Sequence, residues 1–398
     1  MKILVVHNTY QQPGGEDIVF QQECRLLQAA GHDVVTYLRS NDEVKQYSGV
    51  RQLALIPHTI WSTEARREFT EIFVRERPQI VHVHNTFIMI SPSIYSVCAK
   101  ANTPVVHTLH NYRLFCPAGT FYRHGHVCEE CAEHTLWRSV RYGCYRGSRA
   151  ATSTVAAMLV VHRVLKTWNH SSHFYIALTE FARSKFVRGG LPPERIFVKP
   201  NFVEPDPGVP DEKGNYTVFI GRLSPEKRVS TLLNAWKLLS EPFPLLILGG
   251  GPERAFLQEL ARSQNLDGVS FRGHLPREQV IAILRKARFL IFSSEWYENF
   301  PVTIAEAFAC ATPVIASRMG AMQEIIEDGR TGLHFQPGDS QDLAKKIAWA
   351  WSHPKEMAVI GRAARREYET KYSSQQNYAQ LMNIYEQVLA STGRRLNT

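Results

Sequence analysis

The sequence predicts an α/β protein of two doubly wound parallel-sheet domains facing across a cleft. Three observations predict it. Short, continuous apolar runs alternate with amphipathic stretches along nearly all of the 398 residues. The alternation breaks once, at Asn201–Asn215, where Pro205, Pro207, Gly208 and Pro210 crowd a polar segment. It then resumes in the same form. Strands that are apolar throughout are buried on both faces, as in parallel sheets covered by helices. Ligands of such sheets bind beyond the C-terminal ends of the strands.

In the first half the expected strands are Lys2–His7, Asp33–Leu38, Ile80–His84, Pro104–His110 and Phe174–Leu178. Gln22–Ala30, Thr63–Arg75 and Pro92–Ala101 read as helices between them. In the second half the strands are Thr217–Ile220, Leu245–Leu248, Val269–Arg272, Phe289–Ser293 and Pro313–Ala316. Their helices are Val229–Leu239, Glu253–Gln264, Arg277–Ala287, Val302–Ala309 and Asp342–Trp351. In Gln375–Ala390, Tyr378, Leu381, Met382, Tyr385, Val388 and Leu389 recur at helical spacing. That helix is expected to cross back onto the first domain. The expected division is therefore 1–200, 201–374 and a returning helix in 375–398.

Composition excludes several classes. A hydrophobic content of 44% fills two cores and rules out a disordered chain. No apolar run approaches the length of about 18 residues that a membrane span needs. Met1–His7 reads as a buried strand, not a signal peptide, so a cytoplasmic protein is expected. The net charge of +9 suits an anionic ligand or a membrane surface. The basic residues are scattered, with only short doublets at Arg365-Arg366 and Arg394-Arg395, which a merely soluble basic protein also shows.

The chemistry-bearing motifs follow strands. Gly14-Gly15, preceded by Gln12-Pro13, links the first strand to the first helix. Glycines there either make the turn or let backbone N–H groups approach a phosphate. Gly221-Arg222, with Lys227 beyond, puts two cations in one loop, suited to a diphosphate or to plain solvation. Gly249-Gly250-Gly251-Pro252 makes either a tight connection or a close backbone approach. Glu298 and Glu306 are separated by seven residues, the first in a loop and the second inside the next helix. Pro301 fits that helix's first turn. The N–H groups of Asn299, Phe300 and Val302 could face a phosphate, while the two carboxylates accept sugar and ribose hydroxyls.

In this order, and with Gly320-Ala321-Met322-Gln323-Glu324 and Gly329-x2-Gly332, these motifs resemble a family 4 retaining glycosyltransferase of the GT-B type. The resemblance implies two Rossmann-like domains, with the donor held mainly by the second. It implies that Arg222 and Lys227 neutralise a leaving diphosphate. Glu298 would hold the donor sugar, with Phe300 and Pro301 offering backbone to it. Glu306 would bind the ribose, Arg272 and Leu275 would lie beside the base, and Gly14, Gly15 and Gly250 would approach the donor. It places His110 near the reacting centre. There the family commonly follows the histidine with Asp, whereas this chain has Asn111. His82, His84 and His107 read as core or cleft histidines. The family mechanism needs no divalent cation, so no cofactor is expected for catalysis, and no Asp-x-Asp pattern stands out.

Cys116, Cys128, Cys131 and Cys144 cluster in a cysteine-rich insert, 111–147. Their spacing suits a structural zinc site, and unligated thiols or a redox pair are the alternatives. Four thiolates would leave no open position for catalysis. Ala150–Trp168 is amphipathic, and either packs on the first sheet or touches a membrane peripherally. The function expected is sugar transfer from a nucleotide-diphosphate sugar to a glycan or lipid-linked hydroxyl, in surface polysaccharide or glycoconjugate synthesis. The rivals are a GT-B epimerase or hydrolase and a zinc-containing nucleic-acid-binding module. The donor-site residues argue against the last, so no nucleic-acid partner is expected.

Overall fold

The computed structural model describes residues 1–11, 14–47 and 54–393. Gln12-Pro13 and Arg394-Arg395 lie outside the described residues. The chain forms two compact units. The first comprises Met1–Phe121, Cys128–Pro200 and the chain from Asn377 onward. The second comprises Tyr122–Val127 and Asn201–Gln376.

The first unit contains β1 (Lys2–Thr9), β2 (Asp33–Ser40), β3 (Ile80–Val83) and β4 (Val105–Thr108). A small antiparallel hairpin follows, β5 (Tyr122–Arg123) and β6 (His126–Val127). It comes from the middle of the cysteine-rich segment and clusters with the second unit, a placement the sequence does not announce. β7 (His173–Ala177) and β8 (Ile196–Val198) complete the first sheet. Its order is β2-β1-β3-β4-β7-β8, all parallel. Alternation along β1 serves two cores. Ile3 and Val5 pack with Phe20, Leu27 and the C-terminal Leu381, Ile384 and Tyr385. Leu4 and Val6 pack with Phe69, Phe73 and Ile94 on the opposite face. The helix Ser374–Ser391 thus closes the first unit, although its first residues belong to the second.

The second unit contains β9 (Thr217–Ile220), β10 (Leu245–Leu248), β11 (Val269–Gly273), β12 (Leu290–Phe292), β13 (Val314–Ser317) and β14 (Gly332–Phe335). These pair in parallel in the order β11-β10-β9-β12-β13-β14. The strand order reverses between β9 and β12, and in the first sheet between β1 and β3. Such switch points open a crevice at the strands' C-terminal ends.

Several boundaries differ from the sequence expectation. The first helix starts at Gly15, not Gln22, because Glu16 and Asp17 suit a first turn and Asp17 accepts the Gly14 N–H at 2.7 Å. The fourth strand stops at Thr108, so His110 lies in the loop beyond it. Pro92–Ala101 is a short turn, Pro92–Ile94, followed by the helix Tyr95–Lys100. Pro301 caps the helix Val302–Ala309 from outside its first turn. β8 and β14 escape a reading by apolar runs because Ile196–Val198 is a run of only three and His334 interrupts Gly332–Phe335. The polar linker is exposed only from Glu204, since Asn201, Phe202 and Val203 are buried and Val203 donates its N–H to Tyr372 O. Among the described residues no helix is long and apolar enough to cross a membrane.

Candidate active site

In the second unit, the loops after β9 and β12 flank the switch point. Lys227 and Glu298 meet there, Nζ to Oε1 at 2.5 Å. The same Oε1 accepts the Trp296 indole N–H at 2.7 Å and the Ser294 hydroxyl at 2.9 Å. Three donors on one oxygen fix a carboxylate that is only 8% exposed. No partner to Oε2 exists among the described residues, so that oxygen keeps its capacity to accept. Lys227 also lies over the Phe292 and Trp296 rings, 5.2 and 5.7 Å from their centroids, and the Ser293 hydroxyl holds its carbonyl at 2.8 Å. Arg222 is exposed and forms no ion pair among the described residues. Of the two expected cations, one is thus committed to Glu298 and the other is free.

Glu306 is buried in the helix Val302–Ala309. Burial raises its carboxyl above the ordinary range, opposed by Arg277, whose guanidinium Nη1 is 2.6 Å from Oε1. Arg277 was missed from sequence because it starts a different helix, Arg277–Lys286, and reads as an ordinary surface cation. Trp296 and Ser294 were missed for a similar reason, since a tryptophan or serine in a loop carries no signal until its carboxylate partner is known. Phe300 is buried edge-on against Tyr372. Within β11 Arg272 is exposed, and beyond it Leu275 is partly buried.

The three-glycine run divides by position. A Cβ on Gly249 (φ +130°) would fall 2.0 Å from Gly221 O, and one on Gly251 (φ +159°) 2.3 Å from Leu223 O. Both are required where the β9 and β10 loops pack together. Gly250 has open space, and only its carbonyl is engaged, by the Leu223 N–H at 2.8 Å. Gly14 and Gly15 likewise have room for a Cβ. The packing of the described residues therefore does not demand glycine at 14, 15 or 250.

In the first unit, His110 is partly buried and bonds through Nε2 to His84 Nδ1 at 3.0 Å, with the rings stacked. Burial, then the neighbouring His84 and His7, hold its pKa well below the ordinary value. His84, His110 and Asn111 line a pocket with Thr86, Phe87 and Leu114. Burial also depresses His82 and His107, each to about 3. Asn111 Nδ2 reaches Glu16 Oε2 at 3.4 Å, and the Tyr10 hydroxyl donates to the same oxygen at 3.2 Å. Burial, reinforced by Asp17, pushes the Glu16 carboxyl up to about 8. An amide at 111 can donate to Glu16, whereas the family's usual carboxylate has no hydrogen to give. Glu16 itself was missed because its burial is not visible in a Gly-Gly-Glu-Asp string.

None of the four insert cysteines is in a disulfide, and Cys116 and Cys131 are buried, Cys128 and Cys144 partly so. Burial pushes Cys131 up to about 12, with Cys116, Cys144 and Cys128 adding to the rise. Among the described residues, however, no three of these four sulfurs lie within 4.8 Å of one another. In the helix Arg149–Val164, Val155, Met158 and Leu159 are buried while Val160 and Val164 are exposed, as is Leu165 just beyond it.

Two six-stranded parallel sheets in these orders define a protein of the GT-B class. The sequence pattern of the Glycosyltransferase Family 4 matches residues 13–207, and that of the Glycosyl transferases group 1 matches residues 203–367. Between them they span most of the chain, which belongs to the family 4 glycosyltransferases. The N-acetyl-alpha-D-glucosaminyl L-malate synthase of Bacillus anthracis is 23% identical over 407 residues, covering 98% of each chain. The uncharacterized glycosyltransferase MJ1178 of Methanocaldococcus jannaschii is 28% identical over 174 residues, 44% of this chain and 48% of that protein. That match thus spans about half of the relative's length. The crystal structure of Anabaena HepE in complex with UDP and glucose superimposes with a TM-score of 0.69 at 16% identity, covering 97% of this chain and 100% of that one.

Gly15→Ala and Gly250→Ala should keep the parent's melting temperature, because both Cβ atoms enter open space. Gly249→Ala should lower it sharply. Thermal unfolding of the three variants checks this. Glu16 gives a pH signature. Its folded pKa of about 8 exceeds the ordinary 4.5. Its contribution to stability is therefore fully present below pH 4.5 and lost as pH rises through 8. Glu16→Gln, which cannot ionise, should gain stability over the parent above pH 8 and match it below pH 4.5, measured by denaturant unfolding.

Proposed function

We propose that the chain is a retaining glycosyltransferase that moves a sugar from a nucleotide-diphosphate sugar to a hydroxyl of a glycan or lipid-linked acceptor. Its place would be in the synthesis of surface polysaccharide or glycoconjugate. The observation that carries the reading is Glu298, held through Oε1 by Lys227, Trp296 and Ser294 at the switch point, with Oε2 left to accept. UDP and glucose in the HepE structure support a nucleoside diphosphate donor.

In this reading the Glu298 carboxylate accepts hydrogen bonds from hydroxyls of the donor sugar. The exposed Arg222 forks onto the diphosphate, and Lys227 adds a point charge as the bond to the anomeric carbon breaks. The acceptor hydroxyl attacks the same face that the diphosphate leaves. Its proton passes to the departing phosphate oxygen, which retains the anomeric configuration without a protein base. Glu306, steered by Arg277, takes the ribose hydroxyls, and the backbone at Gly14, Gly15 and Gly250 approaches the donor. Arg272 and Leu275 flank the base, and Phe300 and Pro301 shape the sugar pocket. His110 meets a sugar hydroxyl. The exposed Val160, Val164 and Leu165, with Lys166 beside them, suit a peripheral membrane contact for a lipid-linked acceptor at the inner face.

The Cys-x2-Cys pair with two further cysteines in one insert suits a tetrahedral zinc with no open position, reached once the four sulfurs draw closer than the structure places them. Cys116, Cys128, Cys131 and Cys144 would hold it as a structural ion. Untagged protein should contain about one zinc per chain by elemental analysis. A content far below that refutes the assignment.

Donor selectivity is checked by thermal shift against a panel of nucleotide sugars, followed by turnover with soluble and lipid-linked acceptors. Glu298→Ala and Lys227→Ala should each lower turnover about a hundredfold or more, with melting temperatures close to the parent. NMR of the product should show the donor's anomeric configuration. Inversion would overturn the mechanism, and donor consumption without acceptor would favour a hydrolase or epimerase.

A further inference from the structure

The small hairpin of β5 and β6 has no part in the reaction proposed from Glu298 and Lys227. Its strands pair Tyr122 with Val127 and Arg123 with His126. The two residues between them, His124 and Gly125, have φ of +50° and +83°, the left-handed pair that a two-residue hairpin turn of type I′ requires. A two-stranded hairpin this short has little stability of its own, so what it packs on decides whether it forms. It clusters with the second unit, although Phe121 and Cys128 on either side of it belong to the first.

Arg228 meets it there. The guanidinium donates from Nη2 to the Gly125 carbonyl at 2.6 Å. It also forms an ion pair with Glu295, Nε to Oε2 at 2.9 Å, and Glu295 Oε1 accepts the Thr231 hydroxyl at 3.2 Å. Arg228 is thus held between the hairpin and the loop after β12. That loop and the loop after β9 are joined at two further points. Glu295 donates its N–H to Glu226 O at 2.9 Å, and the Ser293 hydroxyl donates to Lys227 O at 2.8 Å. Lys227 immediately precedes Arg228, and Glu298 lies in the same loop as Glu295. The charges agree with the contact: burial raises the Tyr122 phenol, Arg228 opposes the rise, and Glu226, Glu295 and Glu253 add to it.

The backbone adds an independent sign. Arg228 has φ 49° and ψ 44°, between the turn Pro225–Lys227 and the helix Val229–Lys237. A left-handed residue closing a helical turn is most often glycine, because a Cβ is disfavoured there. An arginine in this place strains the backbone, and its side chain offsets the strain by joining two elements that glycine could not reach. From the other side, a Cβ on Gly125 would lie 3.2 Å from Arg228 Nη2, so the turn comes close against the guanidinium.

We propose that Arg228 is a positioning residue, which clamps the hairpin onto the loops after β9 and β12 and so fixes Lys227 against Glu298. The hairpin is then a working part of the donor site. The clamp stands on the geometry of the second unit, whereas its effect on turnover rests on the glycosyl-transfer reading. In that reading Lys227 acts as the bond to the anomeric carbon breaks, so a misplaced Lys227 lowers kcat and leaves the donor KM little changed.

The test uses the full chain and hydrogen–deuterium exchange, with Arg228→Gly as the first variant. Glycine relieves the left-handed backbone, so the melting temperature should match or exceed the parent's. Amides in 122–128 and 293–298 should lose protection, while those of β10 and β13 keep it. With a nucleotide sugar that the parent turns over, kcat should fall about tenfold to a hundredfold and the donor KM should hold. Gly125→Ala, which strains the turn and crowds Nη2 from the hairpin side, should show the same pattern with Arg228 intact. Arg228→Lys keeps the positive charge without the planar fork, and should also lose protection at 122–128. Parent-like protection of 122–128 in both Arg228→Gly and Gly125→Ala overturns the clamp. Lost protection with kcat at the parent's level overturns the positioning of Lys227, and so does an Arg228→Lys protein that matches the parent in both exchange and kcat, which would leave charge alone as the role of Arg228. If the parent turns over no nucleotide sugar, the transferase reading fails while exchange still decides the clamp.

Discussion

Parallel pairing is the constraint on which the rest of this molecule depends. Each of the two large sheets has six strands running the same way, so every strand in it ends on the same edge. The loops that follow those ends are brought side by side regardless of their distance in sequence. Lys227 and Glu298 are 71 residues apart, yet they meet because β9 and β12 are neighbours across the reversal of strand order. Glycines 249 and 251 serve the same constraint. The β9 and β10 loops run so close that a single Cβ would collide with a carbonyl of the other loop.

Buried charge is handled in two different ways. In the second unit, Glu298 is held by a cation and two neutral donors on one oxygen, and the second oxygen is kept in reserve. In the first unit, Glu23 and Lys199 are each 1% exposed and close on one another. A buried ion pair offsets little more than its own desolvation, so its value lies in what it arranges. It joins the first helix, the end of β8 and, through Asn377, the returning C-terminal helix.

Membership of family 4 was legible from ordered, individually soft motifs, because such motifs mark strand-to-loop transitions that the sheet requires. The two sheets were legible for the same reason, as continuous apolar runs of four or more residues cannot avoid being buried. Short edge strands such as Ile196–Val198 were not, since three residues give no pattern. Glu16, Arg277 and Trp296 were invisible as site residues because each acquires its role only from a partner far along the chain. The division of labour within Gly249–Gly251 was hidden as well, for it depends on which backbone approaches which Cβ.

The sequence by itself determined the fold class, the order of the strands' loops and the residue types available at the candidate site. These follow from local periodicity and from glycine, proline and charge placed at strand ends. Only the tertiary structure decided that Lys227 is committed to Glu298 while Arg222 forms no ion pair among the described residues, that Arg277 answers Glu306, and that His110 bonds to and stacks on His84. Those are long-range pairings, and a one-dimensional chain carries no record of distance between residues that meet only after the strands have paired.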